Sequence, residues 1–350
     1  MKNKIDFSKP LISWYNKNDF QFPWRQTKDP YKIWISEIML QQTQVSTVIE
    51  YYNRWIDKYP TIEKLSKSHI DDLVKMWEGL GYYRRVHNIH ATARHISNNL
   101  KGKFPTQYNE LIKCKGIGDY TASAILSIAF SQKHSAIDGN LKRILSRVYL
   151  LGESKNIEKK YKSHMDTNMG NENPGDINQA MMDLGREICK PQNPNCGLCP
   201  IKAFCKAFKN GKIDLYPIRQ KKRKVPLHNV VIGVIWSGKK FLISKRKSTG
   251  HLAGLWELPG GKKNKNEKSI ECLEREIDEE LNIKVEVGDR IGKIKHKYSH
   301  FHINLTAYNC YYNGNGIKSF EAQEIKWIDM KQIKNFAFPK ATIKIFELMD

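Results

Sequence analysis

Four cysteines, Cys189, Cys196, Cys199 and Cys205, fall at spacing C-x6-C-x2-C-x5-C. Four thiols so close together predict a metal centre, and a loop folded around one. The other three cysteines, Cys114, Cys272 and Cys310, stand alone. A disulfide framework is a poor reading, because nothing marks the chain as secreted. The opening MKNKIDFSKP carries charge with no apolar run behind it, so no signal peptide is expected. No apolar stretch approaches the ~18 residues of a membrane span. Zinc takes four thiolates tetrahedrally, usually from two CxxC knuckles, and only Cys196–Cys199 is such a knuckle. An iron–sulfur cube also takes four thiolates and tolerates uneven gaps. Spacing leaves both open.

The length predicts two domains, each large enough for its own core. Lysine plus arginine number 59 against 36 acids, a net charge of +23. That excess points to a polyanion, nucleic acid first among soluble ones. A low-GC coding bias would enrich Lys, Asn and Ile together and is the competing explanation. Residues from about 8 to 205 read as helices, within a first domain expected over 1–215: Ile35, Ile38, Met39, Val45, Val48, Ile49, Tyr52, Trp55 and Ile56 keep helical periodicity, and so do Ala122, Ile125, Leu126 and Ile128. From Val230 the texture changes. Apolar runs at 230–236 and 241–243 around Ser237-Gly238, a helix over 269–281 and alternation at 303–308 predict a small α+β domain over 229–350. Residues 216–228 between the halves form a basic linker closed by Pro226.

Within the helical half, Cys114-Lys115-Gly116-Ile117-Gly118-Asp119-Tyr120-Thr121-Ala122 reads as a helix end, a tight hairpin and a new helix. Glycines at 116 and 118 let the backbone approach a ligand, and the amides opening the next helix suit a DNA phosphate. An ordinary αα turn is the bland alternative. Ala136-Ile137-Asp138-Gly139-Asn140 follows twenty residues later; Asp138 is by propensity a helix N-cap.

The hairpin, the Asp and the cysteine cluster together resemble the helix-hairpin-helix DNA glycosylases of the endonuclease III superfamily. The resemblance implies an all-α glycosylase domain with a [4Fe–4S] cluster held by Cys189, Cys196, Cys199 and Cys205 (residues 189–205). Bifunctional members carry a lysine in the hairpin, which forms a Schiff base; here that position is Tyr120, as in the monofunctional branch. Ile35-Ser36-Glu37-Ile38-Met39-Leu40-Gln41-Gln42-Thr43-Gln44-Val45, with Pro23-Trp24-Arg25 and Gly79-Leu80-Gly81-Tyr82-Tyr83, is similar to the MutY-type adenine DNA glycosylases over nearly the whole chain.

Purine excision needs a proton for the leaving base and a negative charge beside the oxocarbenium ion. Glu37, on an otherwise apolar helix, suits the acid if burial raises its pKa. Asp138 suits the stabilising carboxylate. The resemblance assigns the same roles, and has Tyr120 and Asn140 orienting the intermediate and the carboxylates. It also implies that Gln42 and Tyr82 fill the gap left by the flipped base, and that Leu40, Trp24 and Arg25 line the base pocket. The expected substrate is double-stranded DNA with adenine opposite 8-oxoguanine or guanine, bound by a monomer in a bacterial cytosol or nucleoid, without membrane association.

In the second half, Gly261, Glu267, Arg275-Glu276 and Glu279-Glu280 follow the Nudix box, G-x5-E-x7-R-E-U-x-E-E-x-G-U, except for Asn282 in place of the last glycine. Glu276, Glu279 and Glu280 share one helical face and suit a magnesium ion, which gives the alternative activity, Mg-dependent Nudix hydrolysis. In MutY-type enzymes this domain instead recognises 8-oxoguanine through a Phe-Ser-His loop. Tyr298-Ser299-His300 stands at that place. A glycosylase/lyase for oxidised pyrimidines, a nucleotide-pool hydrolase and a DNA-binding structural protein are the competing functions.

Overall fold

The computed structural model describes residues 6–18, 20–218, 225–314, 317 and 322–349. Residues 219–224 of the expected linker lie outside the described residues. The chain divides into two compact units, Met1–Lys67 with Ala91–Lys221, and Ser68–His90 with Lys222–Asp350.

The first unit is helical. Asp29 caps the Pro30–Leu40 helix by accepting from the Tyr31 N–H at 2.9 Å, with Pro30 in the first turn where no amide is missed. That helix buries Tyr31 and every residue from Ile33 to Met39, Glu37 included. It ends where Gln42 takes a left-handed backbone, φ +57°, and the next helix spans Val45–Lys58. The single periodic run expected from Ile35 to Ile56 is therefore two helices. The polar stretch Gln41–Gln44 offers no apolar face to continue the first one. The Asp119–Phe130 helix buries Thr121 through Ile128 and packs against Pro30–Leu40. The Pro174–Glu187 helix packs against both Asp119–Phe130 and Gly139–Tyr149. Leu11, Leu141, Ile144, Met165, Ile177 and Leu184 form a core that also takes in Cys205.

The second unit carries a seven-stranded sheet: β1 (Leu227–Ser237), β2 (Lys240–Lys245), β3 (Trp256–Glu257), β4 (Gly260–Lys262), β5 (Glu286–Lys297), β6 (His302–Tyr311) and β7 (Glu324–Ile328). Its main order is β3-β2-β1-β6-β5, with β4 paired to β1 and β7 to β2. Strand β1 runs parallel to β6 from Leu227↔His302 to Trp236↔Tyr311. It thus begins inside the segment expected to be linker. The apolar run of β1 reflects burial on both faces. Val231 and Ile235 meet Leu273, Ile277 and Leu281 of the Ser269–Leu281 helix. Ile232 and Val234 meet Phe338, Ala341 and Ile345 around the Lys340–Phe346 helix. Strand β5 had no clear signature: it is charged, half-exposed and broken in register near Arg290 and Gly292.

The segment Ser68–His90 belongs to the sheet unit, although the sequence places it amid helices. Lys245 Nζ meets Asp71 at 2.6 Å, Glu78 accepts the Phe338 N–H at 2.9 Å, and Lys75 Nζ donates to the Phe336 carbonyl at 2.8 Å. No helix among the described residues is long and apolar enough to cross a membrane.

Candidate active site and cluster loop

One cavity of about 920 Å³ in the helical unit is lined by Glu37, Tyr120, Asp138 and Asn140, and also by Trp24, Arg25, Leu40 and Gln42. It is built by the Pro23–Arg25 turn, the Pro30–Leu40 helix with the turn after it, the starts of Val45–Lys58, Asp119–Phe130 and Gly139–Tyr149, and the Pro174–Glu187 helix. The volume lies in the range of pockets that bury small organic groups, roughly 300–1,000 Å³.

Glu37 is 2 % exposed. The Tyr120 hydroxyl donates to Glu37 Oε2 at 2.5 Å. Burial pushes the Glu37 carboxyl up; the Tyr120 hydrogen bond and the nearby Arg25 oppose that shift without reversing it, and Asp138 adds to it. Burial also holds the Tyr120 phenol well above its ordinary value, so it remains a donor.

Asp138 is differently held. Its Oδ1 accepts from the Leu141 N–H at 2.7 Å, as an N-cap, and its Oδ2 accepts from Asn140 Nδ2 at 2.8 Å. Burial raises this carboxyl too, while the Leu141 and Asn140 donors favour its charge. The helix start adds a partial positive charge. N-cap and functional carboxylate are therefore compatible roles for one side chain. Asn140 is itself held: Arg143 Nη2 donates to its Oδ1 at 2.8 Å and to the Gly185 carbonyl at 2.8 Å. A Cβ on Gly185 would lie 2.6 Å from Asn140 Cβ, so the close approach of these helices requires glycine there.

Asp183 lines the same cavity and was not foreseen. It is 2 % exposed and forms an ion pair with Arg25 at 3.1 Å, while Arg25 Nη1 donates to Gln179 at 2.5 Å. Arg186 approaches the other Asp183 oxygen at 3.2 Å. Arg25 Nε is buried without a hydrogen-bond partner among the described residues. The available signal was an aspartate on the apolar stripe Ile177, Ala180, Met181 and Leu184, all buried.

The hairpin is present. Gly116 has φ +79°, and Gly118 is the N-cap of Asp119–Phe130 with no side chain occupying its first amides. Tyr82 lies in the other unit, also with a left-handed backbone, φ +49°. Its ring stands nearly perpendicular to that of His300 at 6.2 Å. Ser299 and His300 are exposed, whereas Tyr298 is half-buried against Phe301 at 5.0 Å, His251 at 5.2 Å and His296 at 4.6 Å.

Cys189 and Cys199 pack against the helical core that contains Cys205. Burial raises the Cys196, Cys199 and Cys205 thiols, and Cys189 raises each further. These cysteines can be held together as thiolates only beside a cationic centre, which is the chemistry an iron–sulfur core supplies. Among the described residues no three His, Cys, Asp or Glu side chains close to the spacing of ligands around a single metal ion.

That holds also for the glutamates of the Nudix-like box. Arg275 donates to Glu267 at 2.8 Å, to Glu276 at 2.9 Å and to Glu279 at 3.2 Å, and Glu280 accepts the Gly260 N–H at 3.2 Å. Asn282 takes the left-handed C-cap, φ +50°, in place of the glycine of the motif.

Comparisons with known proteins agree with these parts. Residues 35–166 match the HhH-GPD superfamily of base excision DNA repair proteins, residues 189–205 the iron-sulfur binding domain of endonuclease III, and residues 231–348 a NUDIX domain. The iron-sulfur match begins at Cys189 and ends at Cys205. The adenine DNA glycosylase of Buchnera aphidicola subsp. Schizaphis graminum is 35 % identical over 98 % of both chains. That of Rattus norvegicus is 29 % identical, covering 98 % of this chain and 78 % of its own. The structure of a thermostable thymine-DNA glycosylase matches at TM-score 0.54 and 27 % identity, over 58 % of this chain and 95 % of that one. Capping, cavity and cysteine loop thus sit in a known frame: the chain belongs to the adenine DNA glycosylase family, hydrolases of base excision repair that carry a [4Fe–4S] cluster.

Proposed function

We propose that this chain removes adenine paired with 8-oxoguanine or guanine, as a monofunctional glycosylase in which Glu37 is the acid and Asp138 the fixed anion. One observation carries the reading: Glu37, Tyr120, Asp138 and Asn140 share the wall of a single cavity of about 920 Å³. Glu37, kept protonated by burial, gives its proton to a ring nitrogen of the extruded adenine, so the base leaves neutral. The C–N bond breaks and positive charge spreads over the sugar. Asp138, whose charge is favoured by the Leu141 and Asn140 donors, faces that cation or traps it. Water completes hydrolysis. No lysine stands at 120 to open a lyase path.

Arg25, Trp24 and Leu40 enclose the base. Gln42 in the helical unit and Tyr82 in the sheet unit, each with a left-handed backbone, are the candidate wedge residues for the extruded base. The open amides at Gly116 and Gly118 hold a phosphate. Tyr298, Ser299 and His300 read 8-oxoguanine; the exposed Ser299 and His300 do so by hydrogen bonds, and the packed Tyr298 by supporting them. Cys189, Cys196, Cys199 and Cys205 would hold the cluster, which would fix the loop. The enzyme acts as a monomer in the bacterial cytosol, at the nucleoid.

The test uses the full chain on three duplexes, with adenine opposite 8-oxoguanine, adenine opposite guanine, and an oxidised pyrimidine, and on free 8-oxo-dGTP with magnesium. Base release from the first, fastest, without strand cleavage, is expected. Strand cleavage at the pyrimidine, or turnover of the nucleotide alone, contradicts the proposal.

A further inference from the structure

Two arginines one turn apart, Arg143 and Arg147, lie on the helix that Asp138 caps, 9 % and 2 % exposed. Arg147 is among the largest fully buried side chains of the molecule. Its hydrogen bonds among the described residues go to Cys189 Sγ at 3.3 Å and to the carbonyls of Lys190 at 2.8 Å, Pro191 at 3.3 Å and Tyr216 at 2.9 Å. No carboxylate is among these acceptors. Arg143 likewise bonds to the Cys189 carbonyl, Asn140 and the Gly185 carbonyl. A cation taken out of water beside a second cation is costly unless a negative charge compensates it. Neutral carbonyls supply dipoles but no counter-charge.

We propose that Arg147 is the built-in counter-charge of the iron–sulfur cluster, bonding the Cys189 sulfur and clamping the chain where it enters and leaves the cysteine loop. The proposal rests on the reading of the four cysteines as ligands. A cubane bound by four thiolates is net anionic and becomes more so on reduction, so a fixed guanidinium against one sulfur favours the reduced form. The dependence is mutual. With the cluster lost, Arg147 is a buried cation without a counter-charge, on the helix that Asp138 caps.

The experiment compares wild type, Arg147→Met and Arg147→Lys, with Arg147→Gln replacing the Met variant if that one does not accumulate folded. Iron and acid-labile sulfide per chain, visible absorbance decay under a chelator, and the midpoint potential by film voltammetry are read on each. The neutral variants should lose the cluster roughly 10-fold faster and shift the potential negative, and Arg147→Lys should restore most of the potential. Equal potentials and equal decay in wild type and neutral variants would overturn the inference, as would a lysine variant displaced as far as the neutral ones. A wild-type protein without iron overturns instead the ligand reading on which the proposal stands.

Discussion

The helical unit and the sheet unit each gather carboxylates, under opposite electrostatics. Glu37 is buried, and its partners in the cavity are a hydroxyl and, at longer range, a guanidinium already paired with Asp183; its carboxyl is pushed up. Glu267 is held by Arg275, and its carboxyl is pushed down to about 2, chiefly by that hydrogen bond. Glu276 and Glu279 share the same guanidinium. A carboxyl becomes a proton donor near neutral pH when it loses water without gaining a cation. The same residue type clasped by arginine is locked as an anion. The box of the sheet unit therefore retains the letters of a magnesium site, while its arginine already neutralises part of the charge a metal would use. The contrast favours the proposed division, with acid chemistry in the helical unit and recognition in the sheet unit.

The comparison breaks most sharply at Glu37. Glu37→Gln should lower single-turnover adenine release by roughly 10²–10⁴-fold, with DNA binding kept, as quenched-flow and gel-shift measurements would show. Near-normal release would remove Glu37 as the acid. Tyr120→Phe removes a bond that holds the Glu37 pKa down, so the pKa should rise further. The rate should fall by up to roughly tenfold, the worth of one hydrogen bond, and the alkaline limb of the pH–rate profile should move upward. A limb moving downward would contradict this account. Gly185→Ala forces a methyl against Asn140. It should cost roughly 1–3 kcal/mol in chemical unfolding and slow release without changing the limb. The smallest effect belongs to the sheet unit. Glu279→Gln should leave release within about twofold of wild type, as surface substitutions do, and full-length protein should not turn over 8-oxo-dGTP with magnesium. Turnover that Glu279→Gln abolishes would erase the contrast between the units.

Much of this was legible where the signal is local. Glu37, Tyr120, Asp138 and the four clustered cysteines sit in short runs that single them out by sequence, and the Ser269–Leu281 helix has the bounds its pattern predicts. Contributions from distant packing were not legible. Asp183 reaches the cavity, and Gln179 and Gly185 meet Arg25 and Asn140, from a helix whose local pattern reads as amphipathic, and only tertiary contact gives them a purpose. Nor did periodicity show the break at Gln42, because the apolar residues keep phase across it. Strand β5 escaped because charge and irregular register hide alternation. Segment 68–90 escaped because Asp71, Lys75 and Glu78 read as a solvated face, while their partners lie 174 to 261 residues away.

The raised carboxyl also predicts a stability signature. A group whose folded pKa lies above its unfolded value stabilises the fold fully below the unfolded pKa, and loses that contribution as pH rises through the folded one. Unfolding free energy should therefore fall on the alkaline side of the usual carboxylate range, and Glu37→Gln should flatten the slope.

The most direct measurement is the single-turnover rate of adenine release opposite 8-oxoguanine as a function of pH, for wild type and Glu37→Gln. Wild type should slow as pH climbs through an ionisation above the ordinary glutamate range, with the variant slow and flat throughout. A wild-type rate indifferent to pH over that interval, or a variant that keeps the wild-type limb, would contradict proton donation from a buried Glu37.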